Sequence, residues 1–329
     1  MAIILNSEKI LSLPYSLNYN NILLKHEKCI VNSRSQCDIS TIIANKKVDC
    51  PVFPSNMPAI INKDICKIFD DNKWFHIYHR MGGTEDIKNY IHKANAENWR
   101  FVSPSIGIKK DNLELIEWAY NEGFHIDSWT IDIALSWTEN IILIINTIKK
   151  YYPKSYLIVG FGDNPEWIKW LEDLGVDCAR INIGVSAACR TRQFTGFGSS
   201  TINDLIRCKE VANKIKVCSD GGLTLYKDSE VEIGGIAKSI RFGADFICSG
   251  SLFSRCIDSP AMRIGYYGNA SRKAKGDTHV EGACVTVETN NLTIIEMIKL
   301  VEDSIRSSVS YSGGKQLRDI KNINFQIII

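Results

Sequence analysis

The sequence predicts an α/β protein, a (β/α)8 barrel in a single domain, and three observations carry that expectation. Short apolar runs alternate with segments of helical period, and eight such runs can be counted. Most runs are continuously apolar, as strands buried on both faces of a parallel sheet must be. Polar and glycine-rich stretches follow several runs directly, where a closed barrel of parallel strands gathers its functional loops.

In chain order the strands are expected at 51–55 (PVFPS), 74–78 (WFHIY), 101–106 (FVSPSI), 126–131 (IDSWTI), 156–160 (YLIVG), 178–183 (CARINI), 216–219 (KVCS) and 245–248 (DFIC). Helical period fills 84–96, 112–122, 139–150, 165–174, 202–213 and 235–242. Thr84, Glu85 and Asp86 favour a helix start, and Pro165 suits a first helical turn. Periodicity alone leaves a doubly wound sheet open. That alternative needs a GxGxxG fingerprint after a strand, and Gly160-Phe161-Gly162 lacks the third glycine. The expected organisation is an N-terminal extension over 1–45 packing on a barrel over 46–310, with a final helix within 290–320 and a polar tail over 311–329.

Composition narrows the class. With 45 % hydrophobic and 23 % charged residues, the chain suits a globular protein with a large core. Lys and Arg total 39 against 37 Asp and Glu, a formal charge of +2, so no long-range field draws in nucleic acid. The 11 cysteines show no CxxC pair and no zinc-like spacing, which reads as reduced thiols in a cytoplasmic chain. The leading MAIILNSEKILSLPYSL lacks a basic start, and no apolar window of about 18 residues offers a membrane span.

Three loops carry chemistry. The sixth expected strand runs into Gly184-Val185-Ser186-Ala187-Ala188-Cys189-Arg190-Thr191-Arg192, a cysteine among small residues with two arginines beside it. Neighbouring cations favour a reactive thiolate, and small residues let a ligand reach the backbone. The seventh strand ends in Asp220-Gly221-Gly222, where a carboxylate can take ribose hydroxyls while backbone N–H groups face a phosphate. The eighth ends in Gly250-Ser251-Leu252-Phe253, opening a helix at the other usual phosphate position of this fold. Each alone reads equally well as a tight turn or an incidental thiol. Together they point to a nucleotide or sugar-phosphate ligand.

These loops, with Ile236-Ala-Lys-Ser-Ile-Arg-Phe-Gly-Ala-Asp, resemble the purine-nucleotide core of the IMP dehydrogenase and GMP reductase family. Lys28-Cys-Ile-Val-Asn-Ser-Arg-Ser-Gln-Cys-Asp, Ser55-Asn56-Met57, Tyr78-His79-Arg80, Tyr266-Tyr-Gly-Asn-Ala-Ser, Val280-Glu281-Gly282 and Ser307-Ser-Val-Ser-Tyr-Ser-Gly-Gly resemble its GMP reductase branch. The likeness runs from about residue 15 to 320 and leaves no gap for the inserted regulatory domains of IMP dehydrogenases. Only twelve residues separate Gly268 from Glu281, too few for the long mobile flap of the dehydrogenases.

The resemblance implies reductive deamination of GMP to IMP and ammonia by NADPH, in a cytoplasmic homotetramer. It makes Cys189 the nucleophile, with Thr191 and Glu281 moving the proton. It gives Met57, Gly268 and Asn269 to the base, Asp220 to the ribose, Gly184, Ser186, Gly222, Gly250 and Ser251 to the phosphate, and Gly221 to the substrate beside them. Arg80, Asp132 and Ala270 fall to the cofactor, and a monovalent cation such as potassium is conceivable near Gly184, Ser186 and Cys189. Departures gather at the mouth of the site. Gly184-Val185-Ser186 replaces Gly-x-Gly, Ala134-Leu135-Ser136-Trp137 replaces a polar loop, Phe161 stands where the family has Asn, and 223–234 is longer. They keep open a second reading, the same chemistry on a modified or deoxy purine nucleotide or without the hydride step. A non-catalytic nucleotide-binding homologue is the third.

Overall fold

The computed structural model describes residues 7–223, 225–227, 230–275 and 280–328. Seven parallel strands form one curled sheet: β1 (Val52–Pro54), β2 (Ser105–Ile106), β3 (Ser128–Asp132), β4 (Tyr156–Gly162), β5 (Cys178–Ile181), β6 (Lys216–Asp220) and β7 (Phe246–Ser249). From β2 to β7 each strand pairs with the next in chain order and β7 pairs with β1, which leaves one gap in the ring, between β1 and β2. Residues 74–78 fill the eighth place. Tyr78 N–H donates to the Ser103 carbonyl at 2.8 Å, Ser105 N–H returns to the Tyr78 carbonyl at 2.9 Å, and Phe75 packs edge-on against both Phe53 and Phe101. The result is the (β/α)8 barrel.

The helices cover the outside: α1 (Lys63–Asp71), α2 (Gly83–Ala96), α3 (Lys110–Asn121), α4 (Asn140–Tyr151), α5 (Pro165–Asp173), α6 (Ile202–Val211), α7 (Gly235–Arg241) and α8 (Ile294–Tyr311). Their starts follow local chemistry. Asn164 accepts from Glu166 N–H ahead of Pro165, and Thr293 forms a capping box with Glu296. Helix α1 has no counterpart among the expected segments, although Asn62 caps it and Ile65, Cys66 and Phe69 make its buried face. No helix among the described residues is long and apolar enough to cross a membrane.

Alternation along the strands sorts the barrel interior into layers. The lower layer is apolar: Phe53, Phe75, Phe101, Cys178, Cys218 and Phe246 pack there, closed from below by Ile43, Ala44 and Val48 of the Thr41–Ile43/Lys46–Val48 hairpin. Two residues further along their strands, Arg180 and Asp220 form part of a polar layer that floors the open end. The C-terminal segment is less polar than expected. Phe325 and Ile320 are fully buried, and Phe325–Ile327 pairs antiparallel with Ile22–Leu24 of the N-terminal extension. Leu225–Lys227 and Glu230–Glu232 form an antiparallel ribbon in the longer segment after Gly222.

Candidate active site

The loops beyond the strand C-terminal ends enclose a cleft of about 1020 Å³ counted to its open mouth, a size suited to a nucleotide-sized ligand. Every residue anticipated from the sequence lines it except Gly222. Gly222 instead has φ +70°, a turn conformation that glycine adopts freely, and a side chain there would meet Val185 at 3.2 Å. It shapes the turn behind the cleft wall.

Backbone pairing builds the reactive corner. Cys189 forms an antiparallel bridge with Gly282, Arg190 N–H donates to the Glu281 carbonyl at 2.6 Å, and Ala283 N–H to the Ala188 carbonyl at 2.9 Å. Gly282 N–H reaches the Ala270 carbonyl at 2.9 Å, and Gly268 N–H the Ala283 carbonyl at 3.1 Å. The strands pass so closely that a Cβ on Gly268 would lie 2.6 Å from the Ala188 carbonyl oxygen. Segments far apart in sequence are thus pinned around one thiol.

The side chains continue the pattern. Cys189 Sγ lies 3.1 Å from Thr191 Oγ1, and that hydroxyl donates to Glu281 Oε2 at 3.0 Å. A thiol, a hydroxyl and a carboxylate therefore form one chain along which a proton can pass. Of the two arginines beside the thiol, Arg192 is engaged by the Ser199 carbonyl.

The polar floor contains residues that the motifs did not single out. Arg180, 1 % exposed, donates from Nε and Nη2 to Asp220 Oδ2 and from Nη1 to Asn56 Oδ1 at 2.8 Å. The Phe161 ring lies 4.7 Å from its guanidinium carbon. Burial pushes the Asp220 carboxyl up, and the Arg180 charge pulls it back. For Arg180 itself burial is the largest influence and disfavours the charge, but Asp220 together with Cys248, Asp132 and Cys218 offsets it and the guanidinium stays protonated. The available signal was a lone arginine inside the apolar run CARINI. Asn56 Nδ2 and Asn269 Oδ1, both in the cleft lining, are buried and have no partner among the described residues.

Asp132 stands on the opposite side, 3.6 Å from Arg80 Nε and 3.9 Å from Arg180 Nη1, while Arg80 Nε donates to its backbone carbonyl at 2.7 Å. Ile133, Ala134 and Phe161 make an apolar wall beside it. The departures at the mouth divide here. Phe161 enters the cleft, whereas Leu135 and Trp137 are 58 % and 46 % exposed and do not line it. Ser136, buried between them, ties the loop down by donating from its N–H to the Phe161 carbonyl at 2.8 Å.

Residues 16–324 match the IMP dehydrogenase / GMP reductase domain family. Among curated proteins, the GMP reductases of Staphylococcus aureus strains JH9 and Mu50 are each 34 % identical over 322 residues, covering 94 % of this chain and 96 % of theirs. The protein of the same name from strain Newman matches over the same span at the same identity.

Proposed function

Because the chain belongs to the IMP dehydrogenase / GMP reductase family and is an oxidoreductase of that group, we propose that it converts GMP to IMP and ammonia with NADPH. The Cys189–Thr191–Glu281 chain, closed at 3.1 and 3.0 Å inside the cleft, carries the reading. In this scheme the Cys189 sulfur attacks C2 of the guanine. Glu281, through the Thr191 hydroxyl, moves a proton onto the 2-amino group. The C2–N bond then breaks, ammonia leaves and a thioimidate remains on the enzyme. A thiolate suits both steps, since it attacks readily and later departs readily. Asp220 would take the ribose hydroxyls, while Gly184, Ser186, Gly221, Gly250 and Ser251 would hold the phosphate, with Gly222 shaping the turn behind them. Met57, Gly268 and Asn269 would meet the base.

When bound, NADPH would supply a hydride to C2, and Cys189 would then depart. The residues present suit a nicotinamide dinucleotide: Ile133, Ala134 and Phe161 offer an apolar wall for a flat ring, and Asp132 has only long ionic contacts, which leaves it capacity to accept from hydroxyls. Arg80, Asp132 and Ala270 would hold it. No step is derived through a potassium ion near Gly184, Ser186 and Cys189. A cytoplasmic homotetramer belongs to the same proposal.

Phe161 favours a second reading. Its ring lines the cofactor side of the cleft against Arg180, where the family carries a polar Asn, a change that suits the same deamination on a modified or deoxy purine nucleotide, or one that stops before hydride transfer. The deciding assay follows NADPH absorbance with GMP while measuring IMP and ammonia. Stoichiometric formation of all three products establishes the reductase. Ammonia without NADPH loss moves the assignment to the second reading, and binding without any product rejects both.

A further inference from the structure

The guanidinium of Arg180 ties together residues from around the barrel. It rises from β5, holds Asp220 at the end of β6 by two donors, and holds Asn56 beyond β1 by a third. It faces Asp132 at the end of β3 at 3.9 Å, the Cys248 sulfur of β7 at 3.6 Å, and the Phe161 ring of β4 at 4.7 Å. It is almost fully buried yet borders the cleft. A buried arginine is costly unless its fork is filled by acceptors of matching geometry. Here both Nε and Nη2 converge on a single oxygen, Asp220 Oδ2, which fixes the rotamer of that carboxylate.

We propose that Arg180 is a positioning residue that orients Asp220 and keeps it ionised for a ligand bearing vicinal hydroxyls, a ribonucleotide. This rests on the purine-nucleotide reading of the same cleft. A carboxyl group accepts through both oxygens without competition only when ionised, since protonation turns one oxygen into a donor, and two ribose hydroxyls need two acceptor lone pairs held in place. Burial works against that ionisation, and the charged or titratable groups facing Asp220 are Arg180, Cys248 and Asp132. Of these only Arg180 is cationic. Without it, the carboxylate would take up a proton at a higher pH and turn freely.

The test is GMP affinity by calorimetric titration between about pH 5 and pH 8. It compares wild type with Arg180→Lys, Arg180→Met and the double variant Arg180→Met/Asp220→Asn. Arg180→Met is expected to weaken binding about 10- to 100-fold and to lose affinity at a higher pH than wild type as the solution is acidified. Arg180→Lys keeps the charge without the fork, so its pH profile stays near that of wild type while its affinity falls. The double variant removes the Asp220 carboxylate and gives a weak affinity whose pH dependence, set by the GMP phosphate titrating at about pH 6, is the baseline for the other variants. It therefore keeps the test alive should Arg180→Met fail to fold. The proposal is overturned if Arg180→Met binds GMP with the wild-type constant and pH profile, or if its pH profile matches that of the double variant. Failure of the underlying reading looks different: wild type itself then shows no GMP binding at any pH, which removes both.

Discussion

Thr191 donates its hydroxyl proton to Glu281 Oε2 at 3.0 Å, joining residues 90 positions apart in the chain. The same oxygen, Thr191 Oγ1, lies 3.1 Å from the Cys189 sulfur, so the carboxylate reaches the nucleophile only through the threonine. Removing the hydroxyl should therefore resemble removing the acid. Thr191→Val and Glu281→Gln are each expected to lower kcat by about 10²- to 10⁴-fold with little change in GMP affinity. Steady-state kinetics beside titration of GMP checks this. A Thr191→Val enzyme with near-normal kcat would show that the proton takes another route.

Cys189 is the bond-forming atom of the scheme, and no other cysteine lines the cleft. Cys189→Ala should leave no measurable ammonia or IMP while keeping GMP bound within about threefold of wild type, since truncation removes no hydrogen bond to the phosphate or ribose. Persistence of NADPH-dependent turnover in that variant would eliminate covalent catalysis.

The strands and helices were legible because their burial is written as local period. The runs around Val159 and Ile247 are wholly apolar, and Asn164-Pro165 announces a helix. The reactive loop was legible for a similar reason: Cys189 and Asp220-Gly221-Gly222 sit next to the strands that deliver them. What escaped depends on distant partners. Arg180 is a lone charge in CARINI, and nothing nearby in the sequence names its partner, Asp220 of β6. The pairing of Ile22–Leu24 with Phe325–Ile327 leaves no local pattern in either segment. Leu135 and Trp137 misled in the other direction, since bulk in the sequence suggested a crowded cofactor side while the backbone turns both toward solvent.

Buried histidines set the acid limit of stability. Burial holds His76 down to about 3 and His79 down to about 4, from an ordinary value of 6.5. Both are neutral in the fold but take up protons once unfolded, so the unfolded state binds more protons below pH 6.5. Their contribution is complete above that pH and is lost progressively as the pH falls toward the folded values. For His76 alone the loss is about 2 kcal/mol between pH 6.5 and pH 5, and His79 adds a similar amount, a sizeable part of the about 5–15 kcal/mol net stability of a domain. Urea unfolding at the two pH values should show it. His76→Gln should flatten the slope by close to one proton, and an unchanged slope would mean that His76 titrates normally in the fold.

Thiol accessibility gives a test of ligand position that requires no turnover. Of the 11 cysteines, Cys29 and Cys284 are exposed, Cys189 is partly exposed and the other eight are buried. A thiol reagent attacks the accessible thiolate, so native labelling should show three reactive groups and eight that react only on unfolding. Cys29 is expected among the fastest, because the Ser310 hydroxyl stabilises its thiolate and holds its pKa below the ordinary value. GMP seated over the Asp220 and Gly250 loops should protect one group alone. That group should be missing from the labelling trace of Cys189→Ala. Mass spectrometry of the labelled peptides assigns it directly. If saturating GMP leaves the Cys189 rate unchanged, the nucleotide does not sit against the thiol, and the chemistry assigned to Cys189 cannot occur in this cleft.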